Sequence, residues 1–137
     1  MPVMTNARIN AFLIEPRIAH LVTIHPNQSP HVSPVWYAYS KGQFEIFSDR
    51  NYRKVKNIDK NYLTALSIAG DTEPYEYISV EGHMTITADN VKERGVSIAT
   101  RYQGTEQAEI FISQYFDAET SVMLTLAPTK FISWTSD

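Results

Sequence analysis

The sequence contains no cysteine, and this absence excludes disulfides, thiolate nucleophiles and cysteine-ligated metals. Long apolar runs are missing too, since no stretch approaches the ~20 residues that a membrane-spanning helix needs. The first residues lack the basic-then-apolar order of a signal peptide. The four histidines show no metal-ligand spacing such as H-E-x-x-H, so no metal site is predicted. We therefore expect a cytoplasmic protein that contacts no membrane.

Positive charge is scarce, with 12 Lys plus Arg against 15 Asp plus Glu and a formal net charge of −3. Nucleic-acid binders usually carry a net basic face, so we expect no nucleic-acid partner. The sequence also lacks a G-x-S-x-G nucleophile elbow, a P-loop and a G-x-G-x-x-G turn. At 137 residues, of which 43% are hydrophobic, the chain is predicted to form a single domain spanning residues 1–137.

The scarce positive charge is concentrated in one window, "SDRNYRKVKNIDK", residues 48–60. Five of the 12 basic residues lie in it: Arg50, Arg53, Lys54, Lys56 and Lys60. The window joins a predicted strand to a predicted short helix with Asn51 as its N-cap. Unpaired N–H groups and the helix dipole favour an anion there. Ser48, Arg53 and Lys54 are therefore predicted to hold one phosphate group, and the alternative is an ordinary solvated helix face.

Short β-rich runs separated by turns predict the fold. The runs "RIAHLVTIH", "HVSPVWYAYS" and "FEIFS" predict an antiparallel meander, because no crossover helix fits between them. Three later runs alternate in the same way, and Gly82 inside one of them predicts a bulge or a barrel corner. The last run, "TSVMLTLAPTKFISW", predicts one strand or two broken at Pro128. The pattern favours a mainly β protein, a six-stranded antiparallel barrel with helices.

The run "SPHVSPVWYAY" carries the second candidate site. Pro34 cannot donate to a sheet ladder, which places it on an edge strand or at a bulge. Trp36 lies two residues further and hence on the same face. With Ser33 they could form a flat apolar wall with a few polar points, suited to a heteroaromatic ligand. The alternative is that Val32, Trp36 and Ala38 face the barrel core.

Taken in order, these motifs resemble the pyridoxamine 5′-phosphate oxidase-like superfamily. "SPHVSPVWYAY", "FEIFSDRNYRKVKNIDKNYLTALSIA" and "EPYEYISVEGHMTIT" match the family's pattern, as do "ATRYQG" and the closing "LAPTKFISW". The resemblance covers about residues 10–134 and implies a flavin-binding split β-barrel that forms a homodimer. It also implies FMN at the subunit interface, or the deazaflavin coenzyme F420 in some branches.

The resemblance assigns roles to individual residues. Lys54 matches the family's phosphate-contacting lysine, and Arg53 and Ser48 match the positions beside the phosphate. Trp134 matches an aromatic residue that approaches the ring from the other subunit. The strand that lines the ring system matches Val32, Ser33, Pro34, Val35 and Trp36. No counterpart of the C-terminal substrate-binding segment of true pyridoxamine phosphate oxidases is found.

The function implied is a flavin-dependent oxidoreductase acting on a small molecule, with reduced nicotinamide as a candidate electron donor. The cofactor carries the hydride or electrons, and no catalytic side chain is identified. Two alternatives stay open: an F420-dependent reductase, and a non-catalytic flavin- or haem-binding protein. Arg101 and Tyr102 lie on a predicted helix whose Val91, Ile98 and Tyr102 are expected to pack against the barrel, although contact with a ligand is the other interpretation.

Overall fold

The alternation of buried and exposed residues builds one antiparallel sheet in the computed structural model, which describes residues 3–137. The sheet has seven strands in the order β2-β1-β5-β6-β7-β4-β3. The strands are β1 (Ala19–Ile24), β2 (Pro30–Val35), β3 (Ala38–Ser40), β4 (Gln43–Asp49), β5 (Leu63–Ala69), β6 (Glu76–Thr87) and β7 (Ser121–Thr135). The helices are α1 (Asn6–Ile14), α2 (Arg53–Lys60), α3 (Val91–Gln103) and α4 (Thr105–Tyr115).

The fold class predicted from the sequence is confirmed, but the sheet has seven strands where six were expected. The run predicted as the second strand is interrupted at Trp36 and Tyr37 and supplies both β2 and β3. The antiparallel pairings expected of the three runs are found, β1 with β2 and β3 with β4, but the middle run is divided between opposite edges of the sheet. The two linking residues bring the edges together, because so short a link spans only about 10 Å. The sheet therefore curls into an open, split barrel.

The other sequence features are found where the local chemistry places them. Thr5 caps α1, and its Oγ1 accepts a hydrogen bond from the Arg8 N–H at 3.2 Å. Pro34 lies on edge strand β2, as expected. The register between β6 and β7 shifts between Glu81 and Gly82, which confirms the bulge. The last run is one strand that continues through Pro128.

The core fills the inside of the curled sheet. Its largest fully buried side chains come from most of the strands and from α1: Leu13, Leu21, Tyr37, Phe44, Ile46, Leu66, Ile68, Ile78, Leu124 and Leu126. Helices α3 and α4 pack against each other, and Phe47 of β4 and Met123 of β7 contact the buried side of α3. This arrangement leaves a gap between the two helices and the sheet. Within residues 3–137, no helix is long and apolar enough to cross a membrane.

Candidate functional site

A cleft of about 380 Å³ opens between the curled sheet and the pair of helices α3 and α4. The sheet-side wall, from β2 and β4 and the residues that follow β2, consists of Pro34, Val35, Trp36, Phe47, Ser48 and Asp49. The helical wall consists of Gly95, Ile98, Ala99, Phe111, Ile112 and Tyr115. Ile18, Tyr52 and Lys54 complete the lining. A cavity of this size, mostly apolar with a few polar groups, is typical of a small-molecule site.

Ser48 supplies a hydroxyl at one end of the cleft. It lies in β4, one residue before the strand ends, and only 3% of its surface is exposed. Its Oγ forms no hydrogen bond with any residue that the structure describes. Buried hydroxyls are nearly always hydrogen-bonded, so an unpartnered one that lines a cleft is available to a polar ligand.

Lys54 supplies a cation at the same end. Its side chain is about half-buried, and this burial lowers the pKa of its ammonium group below that of an ordinary lysine. The Nζ atom lies 5.7 Å from the centroid of the Tyr52 ring. The ion pairs found among residues 3–137 do not include Lys54. A partly desolvated ammonium without a carboxylate partner favours the binding of an anion.

The N-terminus of α2 lies at the same end of the cleft, where Tyr52 and Lys54 belong to the lining. The N-cap is Tyr52 and not Asn51 as predicted, and no side chain caps the helix. The Asn51 N–H donates to Asp49 Oδ1 at 2.8 Å in the turn before the helix. The first intrahelical bonds run from Val55 and Lys56 to the Tyr52 carbonyl, so the N–H groups of the first turn before them have no helical partner. Helix dipole and lysine charge therefore act together on an anion near Ser48.

Trp36 forms the aromatic part of the sheet-side wall. Its indole stacks on the Tyr102 ring with centroids 4.7 Å apart and an interplanar angle of 7°, and it contacts Phe111 at 5.2 Å. Trp36 is half-buried, so it both packs against the helices and borders the cleft. The alternative drawn from the sequence, that Trp36 faces the barrel core, is therefore wrong, because the indole packs against α3 and α4.

Arg101 and Tyr102 fix the link between the two sheet edges. The Arg101 guanidinium donates to the carbonyl of Tyr37 and to that of Leu13. The Tyr102 hydroxyl accepts from the Tyr37 N–H at 3.0 Å and donates to the Arg17 carbonyl at 2.8 Å. Burial raises the pKa of the Tyr102 phenol, which stays neutral. Both side chains are engaged with the main chain and not directed at a ligand.

Five of the nine predicted site residues line the cleft: Pro34, Val35, Trp36, Ser48 and Lys54. Val32 and Arg53 are exposed beyond the lining. Trp134 is half-buried at the end of β7 and stacks on Tyr77 at 6.0 Å, outside the lining. Ser33 lies outside the lining, and its buried Oγ has no hydrogen-bond partner among the described residues.

His31 lies beside Ser33 on the same side of β2. Burial, followed by the positive charges of His25, Lys54 and Arg53, lowers the pKa of its imidazole. Its ring meets that of His25 edge to face at 5.2 Å. Lys54 and Arg53, both in α2, thus act electrostatically on the buried side of β2.

Sequence reasoning missed the helical wall of the cleft. Phe111, Ile112 and Tyr115 lie on α4, where their spacing is that of any amphipathic helix packed on a core. Phe47 alternates with buried residues in β4 and carried no distinct signal. Only the packing of α3 and α4 across β4 brings these residues to one site.

Comparison with known proteins supports the architecture. Residues 5–135 match the family described as pyridoxamine 5′-phosphate oxidase. Among curated proteins, no match to the chain was found. The chain is similar to the conserved hypothetical protein Rv2991 from Mycobacterium tuberculosis, with a TM-score of 0.84 and 26% identity over 98% of this chain and 87% of that one.

Two further solved structures share the fold. One, an F420 reductase, has a TM-score of 0.72 and 24% identity over 89% of this chain and 94% of its own. The other, HutZ, the haem storage protein from Vibrio cholerae, has a TM-score of 0.71 and 13% identity over 98% of this chain and 95% of its own. At these identities the likeness concerns the fold alone, and the fold carries more than one kind of cofactor protein.

Proposed function

Because the chain belongs to the pyridoxamine 5′-phosphate oxidase family, we propose that it is a flavin-dependent oxidoreductase that binds FMN in the cleft described above. In this proposal residues 1–137 act as one flavin-binding domain that transfers hydride or electrons to or from a small molecule. Reduced nicotinamide is the proposed electron donor. The flavin, when bound, supplies the redox chemistry.

The observation that carries the proposal is the pairing of two unsatisfied groups at one end of an aromatic cleft. Lys54 is partly desolvated and has no ion-pair partner within residues 3–137, and the Ser48 hydroxyl is buried without a hydrogen bond. A phosphate monoester satisfies both, since it offers negative charge and several acceptor oxygens. The flat, mostly apolar walls beyond it suit a fused ring system.

The remaining residues act by position. Arg53 is exposed at the first turn of α2, from which its guanidinium can reach a phosphate that Lys54 holds. The end of β2 and the residue that follows it offer the ring a continuous stretch of backbone, with donors and acceptors along its edge. This stretch consists of Val32, Ser33, Pro34, Val35 and Trp36. The walls of the cleft exclude water from the ring, which strengthens these polar contacts.

We also propose a homodimer formed through the outer face of the sheet. On this face, register aligns Val32 with Val22 and Val22 with Ala65 across neighbouring strands. Val32, Leu63 and Ile132 are 59%, 47% and 38% exposed. A row of small and apolar side chains on a sheet face indicates a partner surface. The proposed partner is a second copy of this chain.

In such a dimer, Trp134 would complete the partner's site. It lies on the same outer face, two residues beyond Ile132 in β7, and not at the cleft of its own chain. Val32→Lys should convert the dimer to a monomer in sedimentation analysis and weaken FMN binding at the same time. A monomeric wild-type protein would contradict this part of the proposal.

F420 is the second candidate cofactor, because a solved structure of similar fold is an F420 reductase. Lys56 and Lys60 are exposed on α2, and Arg50 is exposed in the turn before that helix. These three residues could meet additional acidic groups of a longer ligand. Haem is less well supported, because the cleft lining within residues 3–137 contains no histidine.

The first experiment is a titration of the purified protein with FMN, F420 and haem, followed by absorbance and fluorescence. We expect FMN to bind at one per subunit. Lys54→Ala should weaken FMN binding by about 1.5–3 kcal/mol, the value of a hydrogen bond to a charged group. Ser48→Ala should weaken it by about 1 kcal/mol.

Lys56→Ala separates the candidates, because Lys56 is exposed on the same helix and outside the cleft. Its substitution should leave FMN affinity unchanged and weaken F420 affinity. Protein that takes up no FMN would reject the main proposal, and equal FMN affinity for Lys54→Ala and wild type would remove Lys54 from the site.

A further inference from the structure

The helical wall of the cleft is apolar along its whole length. Ile98, Ala99 and Ile112 are almost fully buried, with at most 3% of their surface exposed. Phe111 lies beside them and contacts both Trp36 and Tyr115. Gly95 leaves the Phe47 ring in direct contact with α3. Apart from the Tyr115 hydroxyl at its exposed end, this wall offers neither a charge nor a polar side chain to a ligand.

Charge inside the cleft is limited to two side chains. Of the described residues that line it, Lys54 is the one cation and Asp49 the one carboxylate. Asp49 is already engaged, since Oδ1 accepts from the Asn51 N–H and Oδ2 accepts from the Thr120 hydroxyl at 2.6 Å. Once Lys54 holds a cofactor phosphate, a second anion in the cleft finds no counterion. Burying an unpaired charge is strongly unfavourable.

The mouth of the cleft is formed by exposed apolar and aromatic residues. Ile18, Tyr52 and Tyr115 are 45%, 48% and 53% exposed. Aromatic rings in such positions stack on flat ligands and lose little conformational entropy when they do so. A concave apolar surface with this kind of rim indicates a ligand site.

We infer that the helical wall and the mouth bind a neutral, flat, largely apolar molecule as the second reactant, and that phosphorylated compounds are excluded from this position. The inference rests on the proposed function, because it assigns Lys54 to the phosphate of FMN. The inference also implies that pyridoxamine 5′-phosphate, after which the family is described, does not suit this position. That compound carries its own phosphate and would need a second cationic site.

Two probes that share one ring system test the charge requirement. 2-Naphthol is neutral at pH 7, and 2-naphthyl phosphate carries the same ring with an anionic group. Both are titrated by calorimetry into protein saturated with FMN. We expect 2-naphthol to bind more tightly by about tenfold or more, because the phosphate ester would be buried without a counterion. Equal or tighter binding of 2-naphthyl phosphate would overturn the inference.

A pair of surface variants tests whether the probe binds in the cleft. Tyr115→Lys adds a cation at the mouth and removes an aromatic face, so 2-naphthol should bind several-fold more weakly and 2-naphthyl phosphate more tightly. Tyr62→Lys is the matched control, because Tyr62 is 58% exposed and lies outside the cleft lining. Identical effects of the two variants would show that the probe binds elsewhere and would overturn the inference.

The same probes distinguish this inference from the proposed function. Without FMN, 2-naphthyl phosphate should bind through Lys54 and lose that binding in Lys54→Ala, whereas 2-naphthol should be indifferent to Lys54. Saturation with FMN should then displace only the phosphate ester. If FMN displaces 2-naphthol as well, the cleft holds a single ligand and the inference fails while the proposed function stands. If FMN does not bind at all, the proposed function fails, and the Tyr115→Lys comparison still tests the apolar wall.

Discussion

The indole of Trp36 and the phenol ring of Tyr102 lie face to face, 4.7 Å apart with a 7° angle between their planes. Trp36 belongs to the link between the two sheet edges, and Tyr102 belongs to α3. The contact therefore joins the helical wall of the cleft to the sheet-side wall. The same tyrosine holds the main chain of Tyr37 through its hydroxyl, so ring and hydroxyl act on adjacent residues.

Substitution of Tyr102 should separate these two effects. Tyr102→Phe keeps the stack but leaves the Tyr37 N–H without its acceptor, which should cost about 1–3 kcal/mol of unfolding free energy. Tyr102→Leu also loses the stack, a further loss of about 0.5–1.5 kcal/mol. Urea denaturation measures both, and near-ultraviolet circular dichroism reports on Trp36. Tyr62→Phe, on the surface, serves as the control, and equal stability of Tyr102→Phe and wild type would contradict the role of the hydroxyl.

Two glycines allow close approach of the chain, and they should differ in their tolerance of a methyl group. A Cβ on Gly82 would lie 2.2 Å from the Ala127 carbonyl oxygen, whereas one on Gly95 would lie 2.7 Å from Phe47 Cδ2. Backbone in a paired strand cannot move aside, but a side chain can turn. We expect Gly95→Ala to cost about 1–3 kcal/mol and Gly82→Ala more than that. Thermal unfolding ranks the two, and the reverse order would contradict the argument.

Gly95→Ala should also change the cleft, because Phe47 turns toward the open space that it borders. We expect FMN to bind more weakly to this variant even where the protein remains folded. Titration at a temperature well below its unfolding midpoint checks this expectation, with Gly104→Ala as a control outside the cleft.

Lys54→Met should have opposite effects on stability and on ligand binding. Methionine retains the packing of the lysine stem and removes an ammonium group whose pKa is lowered by burial. We expect the free energy of unfolding of the ligand-free protein to rise by up to about 1 kcal/mol, because residues selected for binding often reduce the stability of the fold. FMN affinity should fall as it does for Lys54→Ala. A marked loss of stability would show instead that the Lys54 charge supports the fold.

The affinity for FMN should depend on pH through Lys54. Burial places the pKa of this group below the ordinary value of 10.5, so the ammonium begins to lose its proton below that pH. Above its lowered pKa the free protein must take up a proton to bind the phosphate, and affinity falls as pH rises. Dissociation constants measured across this range should show the decline in wild type, and Lys54→Met should show none. A wild-type dissociation constant that does not change with pH would show that Lys54 does not contact the phosphate.

The sequence permitted prediction of the features that local chemistry determines. The bulge at Gly82 and the edge position of Pro34 each depend on one residue and its immediate neighbours. Ser48 and Lys54 were predicted as phosphate contacts because a basic window joins a strand to a helix, and the structure brings both to one cleft. The contact with phosphate itself stays a prediction.

The features missed from the sequence depend on distant contacts. The break at Trp36 and Tyr37 follows from the clamp that Arg101 and Tyr102 apply some 65 residues later in the chain. Asn51 was predicted as the cap, but α2 begins one residue later than expected, with Tyr52 as its N-cap. The helical wall was missed because a helix that lines a cleft and one that lies on a core have the same periodicity.

Pro30 and Pro34 help the protein to avoid self-association through the edges of its sheet. The two prolines are four positions apart in β2, so their missing N–H donors fall on the same side of that strand. An incoming strand would find one N–H, that of Val32, between them, and the opposite sheet border is only three residues long. Neither border can template a growing intermolecular sheet, which protects an open barrel from fibrillar aggregation.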